Sequence, residues 1–282
     1  MRVVSELRHK YLLDSLLKLA GIPRSTYYYI LKNLARQERY QEVKEVIGQI
    51  VRDHKGRYGY RRITIELHKR GYAVNHKVVM RLMKELHLTC RVRMKKYRSY
   101  RGEVGHIAPN ILQRQFRAKR PNEKWVTDIT EFSLFGKKLY LSPILDLYNS
   151  EIVSYSIYDR PVYAQVKEML DAAFAKIPGG TNLILHSDQG WQYQMKPYVQ
   201  ALEAKGIRQS MSRKGNCLDN SVIENFFGLL KSELLYLQDF ESLEDFKAQL
   251  VEYMDYYNNR RIKSKLKGLS PVQYRTQSLV AA

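Results

Sequence analysis

Apolar residues recur at helical spacing in the first part of the chain. In LLDSLLKLAGIPRSTYYYILKNLAR, residues 12–36, this spacing continues on both sides of a break at Gly21–Pro23. Ser25 or Thr26 is a candidate N-cap for the second helix. A helix, a turn that contains glycine and a second, capped helix are typical of a helix-turn-helix motif.

The segment YRRITIELHKRGYAVNHKVVMRLMKELHL, residues 60–88, repeats this pattern, with Gly71 ending one helix and Asn75 capping the next. The second helix offers basic side chains on its polar positions as candidate contacts to DNA phosphates or bases: His76, Lys77, Arg81 and Lys84. The alternative is an ordinary helical hairpin whose charges are solvated. Neither motif is specific when it is taken alone.

The pattern changes from residue 121 onward. EKWVTDITEFSL, residues 123–134, alternates like a strand and places Val126, Asp128, Thr130 and Phe132 on one face. Further strands are predicted at 137–149, 151–159, 182–187 and 207–213, and helices at 162–177, 196–206 and 221–237. Strands followed by alternating helices and strands predict a mixed α/β sheet that is covered by helices.

Charge divides the chain at the same place. The 282 residues carry a net charge of +20, which indicates a polyanionic partner. Residues 1–120 contain 29 lysines and arginines against 9 acidic residues, whereas residues 121–282 contain 19 of each. The excess positive charge therefore coincides with the two helix-turn-helix-like segments, and this part is the predicted DNA-binding region.

Residues 91–120 hold ten lysines and arginines and a single acidic residue, Glu103. Glycine and proline here argue against a continuous helix, so we expect a flexible basic linker that lies along a DNA backbone. The alternative is a linker that is only solvated. If the linker does bind DNA, the candidate contacts in it are Arg93, Lys95, Lys96 and Arg98. The predicted domains are thus 1–90, 91–120 and 121–282.

Cysteine content and hydropathy narrow the class of protein. The two cysteines, Cys90 and Cys217, form no CxxC pair, which excludes a disulfide scaffold and a cysteine-rich zinc site. The N-terminus has no apolar signal core, and no apolar run approaches the roughly 20 residues that span a bilayer. We therefore expect a cytoplasmic protein without a membrane partner.

Three acidic residues in the second part are candidate metal ligands. Asp128 lies among apolar neighbours in a predicted strand, Asp188 follows a predicted strand, and Glu224 lies in the first turn of a predicted helix. A buried acid needs a compensating charge, and carboxylate oxygens suit Mg²⁺ or Mn²⁺. Two such ions about 4 Å apart can bind the attacking and leaving oxygens of a phosphodiester.

Each acid also has a structural explanation. Asp146, in ILDLY, fits a strand pattern nearly as well as the first candidate. Asp188 is placed to stabilise a turn with Gly190. Ser221 and Glu224 match a capping box, in which the glutamate satisfies an amide at the helix N-terminus. Composition and spacing leave these alternatives open.

Longer motifs resemble a known family. WVTDIT, LHSDQGWQY, SMSRKGNCLDNSVIENFFGLLKSE and YYNNRRIKSKLKGLSPVQY resemble the catalytic half of bacterial insertion-sequence transposases of the OrfB type. These belong to the DDE superfamily, which shares the ribonuclease H-like fold of retroviral integrases. IPRSTYYY and GRYGYRRITIELHKRG resemble the family's N-terminal helical region. The 35 residues between Asp188 and Glu224 match its D-D-(35)-E spacing.

The resemblance implies that Asp128, Asp188 and Glu224 are a catalytic triad that binds Mg²⁺ or Mn²⁺, with two ions per site. It implies cleavage at the ends of an insertion sequence and strand transfer into target DNA. Lys231, two helical turns after Glu224, matches a basic residue that the family places near the DNA end. Further candidate DNA contacts in the same motif are Arg213, Lys214 and Asn220.

The implied partners are double-stranded DNA, further copies of the chain on that DNA, and an upstream OrfA-type product. Two features depart from related proteins. The zinc ligands of retroviral integrases have no counterpart, and RRIKSKL, residues 260–266, lacks a histidine often seen there, so the role of this segment stays open. Two other functions compete: a non-catalytic DNA-binding regulator and a ribonuclease H-like nuclease without strand transfer. The three acids disfavour the first, and the long basic part disfavours the second.

Overall fold

The structure of the chain, a computed structural model, describes residues 2–90 and 107–280. The chain divides into two compact units, Met1–Cys90 and Arg91–Ala282. Within the described residues, no helix combines the length and the apolar character that crossing a membrane requires.

The first unit is helical. Its helices are α1 (Arg2–Leu7), α2 (Leu13–Ala20), α3 (Arg24–Arg39), α4 (Gln41–Asp53), α5 (Tyr60–Lys69) and α6 (His76–Glu85). Helices α4 and α6 bury apolar residues at helical spacing, among them Ile47 and Leu82. A smaller cluster joins the first three helices through Val4, Leu17 and Tyr27.

The first predicted helix-turn-helix segment forms α2 and α3, but the cap of the second helix differs from the prediction. Gly21 follows α2 with a left-handed φ of 64°, as this turn requires. Helix α3 begins at Arg24, so Ser25 and Thr26 lie inside it, and the prediction that either residue caps it is wrong. The carbonyl of Pro23 already accepts a helical hydrogen bond from the amide four residues on, which starts the helix earlier.

The second predicted segment forms α5 and α6. Asn75 is the N-cap of α6, and its Oδ1 accepts a hydrogen bond from Lys77 N at 2.9 Å, which confirms the predicted cap. Gly71 lies in the turn after α5 with a φ of 87°. Glycine adopts this left-handed conformation without strain, so the turn forms where the sequence predicts it.

The second unit is built on a six-stranded sheet. Its strands are β1 (Lys124–Thr127), β2 (Thr130–Leu134), β3 (Lys137–Asp146), β4 (Ile152–Tyr158), β5 (Ile184–Ser187) and β6 (Arg208–Met211). Strand β3 pairs antiparallel with β1, β2 and β4, and β5 and β6 continue the sheet from β1 in parallel. This mixed sheet with flanking helices confirms the predicted α/β class.

The predicted strand at 123–134 is divided into β1 and β2 by a break at 128–129. Both strands pair with β3, and the register is the same on the two sides of the break: Thr127 lies opposite Ile144 before it, and Thr130 lies opposite Leu141 after it. The break lies opposite Pro143, which has no N–H to donate to the ladder. The sheet therefore opens locally at the first candidate acid without losing its register.

Helices flank this sheet. They are α7 (Tyr163–Phe174), α8 (Lys196–Lys205) and α9 (Ser221–Leu230). The apolar core contains Trp125 and Leu185 from the sheet, Met169 from α7 and Leu202 from α8. The predicted helix at 221–237 is α-helical only as far as α9 and continues as a π-helical segment, Lys231–Leu235.

The C-terminal part packs through a buried ion pair. It consists of α10 (Leu243–Asp255), a second π-helical segment (Tyr256–Arg260) and α11 (Pro271–Val280). Arg261 Nε donates to Glu233 Oε2 at 2.7 Å, and the hydroxyl of Tyr253 donates to the same oxygen at 3.0 Å. Both charged side chains are almost inaccessible to solvent. Arg261 therefore gives the RRIKSKL segment a structural role.

Residues 107–120, the second half of the predicted linker, contact the outer side of β6. The carbonyl of Pro109 accepts a hydrogen bond from Met211 N at 3.4 Å. The amides of Ile111 and Leu112 donate to Ser210 Oγ at 3.0 and 3.1 Å. In this stretch the chain is thus held against the sheet by main-chain and side-chain hydrogen bonds.

Candidate active site

Asp128 occupies the break between β1 and β2. Its Oδ1 accepts a hydrogen bond from Ile129 N at 2.7 Å, and the side chain is half-buried. The β1 residues before it are fully buried, with Trp125, Val126 and Thr127 inaccessible to solvent. A packed strand therefore carries this carboxylate to the place where the ladder with β3 opens.

Asp188 directly follows the last residue of β5. Its Oδ1 accepts a hydrogen bond from Gly190 N at 2.9 Å, so the turn that offers an alternative explanation of this acid does form. A Cβ on Gly190 would lie 3.0 Å from that same oxygen and 3.1 Å from Gln192 Oε1. A side chain at position 190 would therefore crowd this carboxylate, and the turn fixes the orientation of the carboxylate at the strand end.

Glu224 lies in the first turn of α9 and is half-buried. The N-cap of α9 is Asn220, and Ser221 is already the first helical residue, so the capping-box explanation of Glu224 is wrong. The side-chain amide of Asn220 instead donates to the carbonyl of Thr127 at 3.1 Å. This bond joins the start of α9 to the end of β1, next to Asp128.

The charges of neighbouring acids contribute to the raised pKa values of Asp128 and Glu224. Burial raises the pKa of Asp128 well above its usual value, and the charges of Asp188 and Glu224 raise this pKa further. The N–H of Ile129 and the ammonium of Lys231 act in the opposite direction. Burial, followed by the charge of Asp188, raises the pKa of Glu224, and burial raises the pKa of Asp188. Elements remote in sequence thus bring these acids into one electrostatic environment.

The carboxylates do not form a closed ligand set. Within residues 2–90 and 107–280, no three His, Cys, Asp or Glu side chains are grouped closely enough to hold a metal ion. The negative charges of the three carboxylates repel each other. The site is therefore an open arrangement of acids within electrostatic range of one another.

Asp146, the alternative strand acid, is explained by the fold. Its buried carboxylate accepts hydrogen bonds from Asn122 N at 2.8 Å, Trp125 Nε1 at 3.3 Å and Tyr148 N at 2.8 Å. Burial raises its pKa to about 6, and these three donors oppose the shift. The carboxylate thus anchors the turn before β1 and the turn after β3.

Lys231 begins the π-helical segment after α9. Its Nζ lies 5.6 Å from the centroid of the Phe132 ring, in a cation–π contact. Burial lowers the pKa of this lysine, and the charges of Glu131 and Asp128 oppose that shift. Lys231 is half-buried, and its charge interacts with that of Asp128.

The motif residues Arg213, Lys214 and Asn220 differ in exposure. The Arg213 side chain is 60% exposed and pairs with buried Asp219, with Nε 2.9 Å from Oδ2. Lys214 is exposed. Asn220 is only 3% exposed and donates to the carbonyl of Thr127, which argues against the expected direct contact with DNA. The two cations remain candidates at the surface.

The candidate DNA contacts of the first unit lie on α6. Three of the side chains are exposed: His76, Lys77 and Lys84. Arg81 is half-buried, 3.5 Å from Glu85 and stacked 5.8 Å from the Tyr40 ring centroid. The predicted linker contacts lie outside the described residues: Arg93, Lys95, Lys96 and Arg98.

Sequence reasoning did not single out the polar network beside Asp188. The buried ring of His186 contacts Ser210 Oγ at 2.8 Å and Ser212 Oγ at 3.1 Å. Burial lowers the pKa of His186 to about 4, so the ring is neutral near pH 7. The available signal was the serine alternation in IRQSMSR, which places the hydroxyl of Ser210 in β6 and that of Ser212, just after the strand, on the same side of the chain.

Comparisons with known proteins define the class. Residues 118–217 and residues 224–279 match the family described as "Integrase core domain", and residues 38–96 match the "HTH-like domain" family. The chain is 56% identical over 278 residues to the putative transposase InsK for insertion sequence element IS150 of Escherichia coli (strain K12), which covers 99% of this chain and 98% of that protein. It is 34% identical over 243 residues to the transposase for insertion sequence element IS904 of Lactococcus lactis subsp. lactis (strain IL1403), which covers 85% and 96%.

Solved structures are similar at lower identity. One is the simian T-cell lymphotropic virus intasome in complex with PP2A regulatory subunit B56 gamma, with 19% identity, a TM-score of 0.49 and coverage of 77% of this chain and 70% of that chain. Another is the HTLV-2 integrase catalytic core domain in complex with magnesium, with 19% identity, a TM-score of 0.47 and coverage of 56% and 99%.

The fold and the family matches define a DDE-type enzyme with a ribonuclease H-like core and a helix-turn-helix-like N-terminal unit. The chain belongs to the insertion-sequence transposases with an integrase core domain. It acts in DNA transposition.

Proposed function

We propose that this transposase cuts DNA at the ends of its insertion sequence and joins the cut ends to target DNA, with Asp128, Asp188 and Glu224 as the catalytic carboxylates. The observation that carries the proposal is electrostatic: Asp188 and Glu224 both raise the pKa of Asp128, although the three side chains come from different elements. Asp146 has its own set of N–H donors and needs no such explanation.

The carboxylates fit a divalent cation of the Mg²⁺ or Mn²⁺ type. Carboxylate oxygens are hard ligands that these ions prefer. A positive charge between Asp128, Asp188 and Glu224 offsets the burial and the mutual repulsion that raise the pKa of Asp128. A pair of such ions, when bound, supplies electrostatic stabilisation of the attacking and leaving oxygens of a phosphodiester.

The residues of the chain bind and orient the reacting groups. In the first step water attacks the phosphodiester in line, and the 3′-oxygen of the element end leaves. In the second step that 3′-hydroxyl attacks a phosphodiester of the target DNA, and one P–O bond forms as another breaks. Lys231, whose charge interacts with that of Asp128, binds a phosphate of the DNA end in this proposal.

DNA contacts are proposed on both units. On α6, exposed basic side chains supply phosphate or base contacts: His76, Lys77 and Lys84, with Arg81 beside them. On the second unit Arg213 and Lys214 are the proposed contacts, because both are exposed. Asn220 is left out because it is buried.

The proposed assembly holds two element ends at once. Strand transfer joins two ends to one target, so we infer that several copies of this chain act together on DNA. An upstream OrfA-type product, separate or fused to this chain, is proposed to add recognition of the element ends. Such an assembly works in the cytoplasm, at the nucleoid.

The test is incubation of the purified full chain with labelled duplexes that carry the element ends and with unlabelled target DNA. We expect nicked products and then joined products with Mg²⁺ or Mn²⁺, and neither product with EDTA. Nicking without joining at saturating target would favour a simple nuclease. Specific binding without any cleavage would favour a regulator.

A further inference from the structure

A short turn before α9 connects the elements that carry the three carboxylates. This 3₁₀ turn, Cys217–Asn220, ends at the N-cap of the helix. The Asp219 carboxylate in it is inaccessible to solvent and accepts hydrogen bonds from Asn110 Nδ2 at 3.1 Å and Arg114 Nε at 2.7 Å. Arg213 adds three more, from Nε and Nη2 at 2.9 Å each and from its backbone N at 3.1 Å.

These donors keep Asp219 ionised. The hydrogen bond from the Arg213 side chain, followed by that from Arg114, holds the pKa of Asp219 well below its usual range. Two arginines offset one buried carboxylate, so the turn is anchored without additional negative charge near the candidate site. The anchor joins the residues after β6 to the segment 107–120.

Asn220 connects the same turn to β1. Its Nδ2 donates to the carbonyl of Thr127, the residue before Asp128, and Glu224 follows four residues later in α9. The Oδ1 of Asn220 is buried and has no hydrogen-bond partner among the described residues. One buried amide therefore links the strand of the first carboxylate to the helix of the third.

The segment after β6 extends the connection to the second carboxylate. Ser212 N donates to the carbonyl of Ser187 at 2.9 Å, and Gln189 Nε2 donates to the carbonyl of Ser212 at 3.0 Å. Asp188 lies between these two contacts in the chain. Because Arg213 directly follows Ser212, the bond between Arg213 and Asp219 fixes this segment as well.

We propose that Asp219 and Asn220 are positioning residues, which set the distance between Glu224 and the two aspartates. The inference rests on the proposed function of those carboxylates. Strands β1 and β5 are fixed to each other by ladder hydrogen bonds, whereas α9 meets β1 through side chains. Repulsion among the acids pushes this helix outward, and the Asn220 amide opposes it without adding charge.

The experiment replaces Asn220 in the full chain by Leu, which keeps the branched shape of the side chain but not its hydrogen-bonding groups, and by Ala. Asn258→Ala is the matched control, since Asn258 also donates to a strand carbonyl, that of Ile152, at 2.9 Å. Binding of Mn²⁺ alone is followed by electron paramagnetic resonance, and cleavage is followed on labelled element ends. We expect both Asn220 variants to bind Mn²⁺ about tenfold more weakly and to lose a similar factor in kcat, with KM for DNA unchanged.

Asp219→Asn keeps the shape of the anchor, removes its charge and is expected to weaken Mn²⁺ binding in the same direction. Thermal melting reports the folded fraction of every variant. Mn²⁺ binding and cleavage by Asn220→Leu that equal those of Asn258→Ala would overturn the positioning role.

The Glu224→Gln variant distinguishes a failure of the proposed function from a failure of the positioning role. If it keeps Mn²⁺ binding and cleavage, the proposed function fails. If it loses both while Asn220→Leu matches the control, only the positioning role fails.

Discussion

Asp128 lies in the break between β1 and β2, and Asp146 lies at the end of the neighbouring strand β3, yet their carboxyl groups have different partners. Asp146 accepts hydrogen bonds from three N–H donors, those of Asn122, Trp125 and Tyr148. Asp128 accepts one such donor, from Ile129, and experiences the charges of two other acids. At the scale of single residues, partners distinguish a structural acid from a catalytic candidate.

This difference predicts opposite effects for two equivalent substitutions. Asp128→Asn should abolish cleavage at an unchanged melting temperature, because it removes charge but keeps shape. Asp146→Asn should leave the chemistry intact and cost about 1–3 kcal/mol of stability, because an amide NH₂ would face an N–H donor in either orientation. Thermal melting and end cleavage of both variants check this. An Asp146→Asn protein that is stable but inactive would contradict the assignment, as would an Asp128→Asn protein that retains cleavage.

Asp146 also predicts a pH dependence of stability. Its pKa is about 6 in the folded chain against an ordinary value of 3.8, so between these pH values the folded chain holds a proton that the unfolded chain has lost. The contribution of Asp146 to the free energy of unfolding therefore declines as pH rises from about 4 to about 6, and is constant above that. Urea unfolding at several pH values in this range gives the free energy of unfolding of wild type and of Asp146→Asn, and we expect this free energy to depend differently on pH in the two proteins. Parallel curves would rule the effect out.

The strands and helices of the second unit follow from the hydrophobic pattern, because alternation and helical spacing record which side of an element is buried. The π-helical end of the helix at 221–237 does not. This end contains Glu233, whose buried partner Arg261 lies 28 residues further on. No local sequence pattern predicts that pair.

The same limit applies to the candidate site. The family resemblance implies the roles of Asp128, Asp188 and Glu224, but no motif indicates the bond between Asn220 and Thr127, which joins residues 93 positions apart. Polar side chains with such remote partners look like surface residues in a sequence. Asn220, a candidate DNA contact in the family motif, is one such residue and is buried in the structure.

The Glu233–Arg261 pair gives a prediction at the scale of elements. Arg261→Leu should destabilise the protein by about 3–5 kcal/mol, because it removes the buried cation that offsets the Glu233 carboxylate. Adding Glu233→Leu should recover part of that loss, since no unpaired charge then remains. Urea unfolding of the single and double variants measures both effects. A loss below about 1 kcal/mol in the single variant would show that the pair is not a main anchor of the C-terminal helices.

Most of the net positive charge and the candidate catalytic carboxylates lie in different parts of the chain. Residues 1–106 carry 25 lysines and arginines against 9 acidic residues, whereas residues 107–282 carry 23 against 19. Residues 1–106, which include the helix-turn-helix-like helices, thus carry most of the net positive charge, and the candidate carboxylates lie in the nearly neutral remainder of the chain. Binding and cutting of DNA are predicted to be separable.

Fragments 1–106 and 107–282 should therefore bind duplex DNA differently. We expect the first to bind with an affinity that falls steeply as salt increases, because bound phosphates release counterions. The second should bind weakly, with a shallow salt dependence. Fluorescence anisotropy at low and at physiological salt measures both. Equal affinities and equal salt slopes would refute the division.

The contact of residues 107–112 with β6 has a consequence for solubility. Strand β6 pairs with β5 on one side, and on the other the carbonyl of Pro109 takes up the amide of Met211. An uncovered strand edge is a template on which further chains add strands. A fragment that begins at residue 121, where the charge changes, loses this cover and should self-associate as its concentration rises. A fragment that begins at residue 107 should do so far less, and light scattering of the two would show it. A fragment of the second unit should therefore begin no later than residue 107, because the residues that follow cover the edge strand β6.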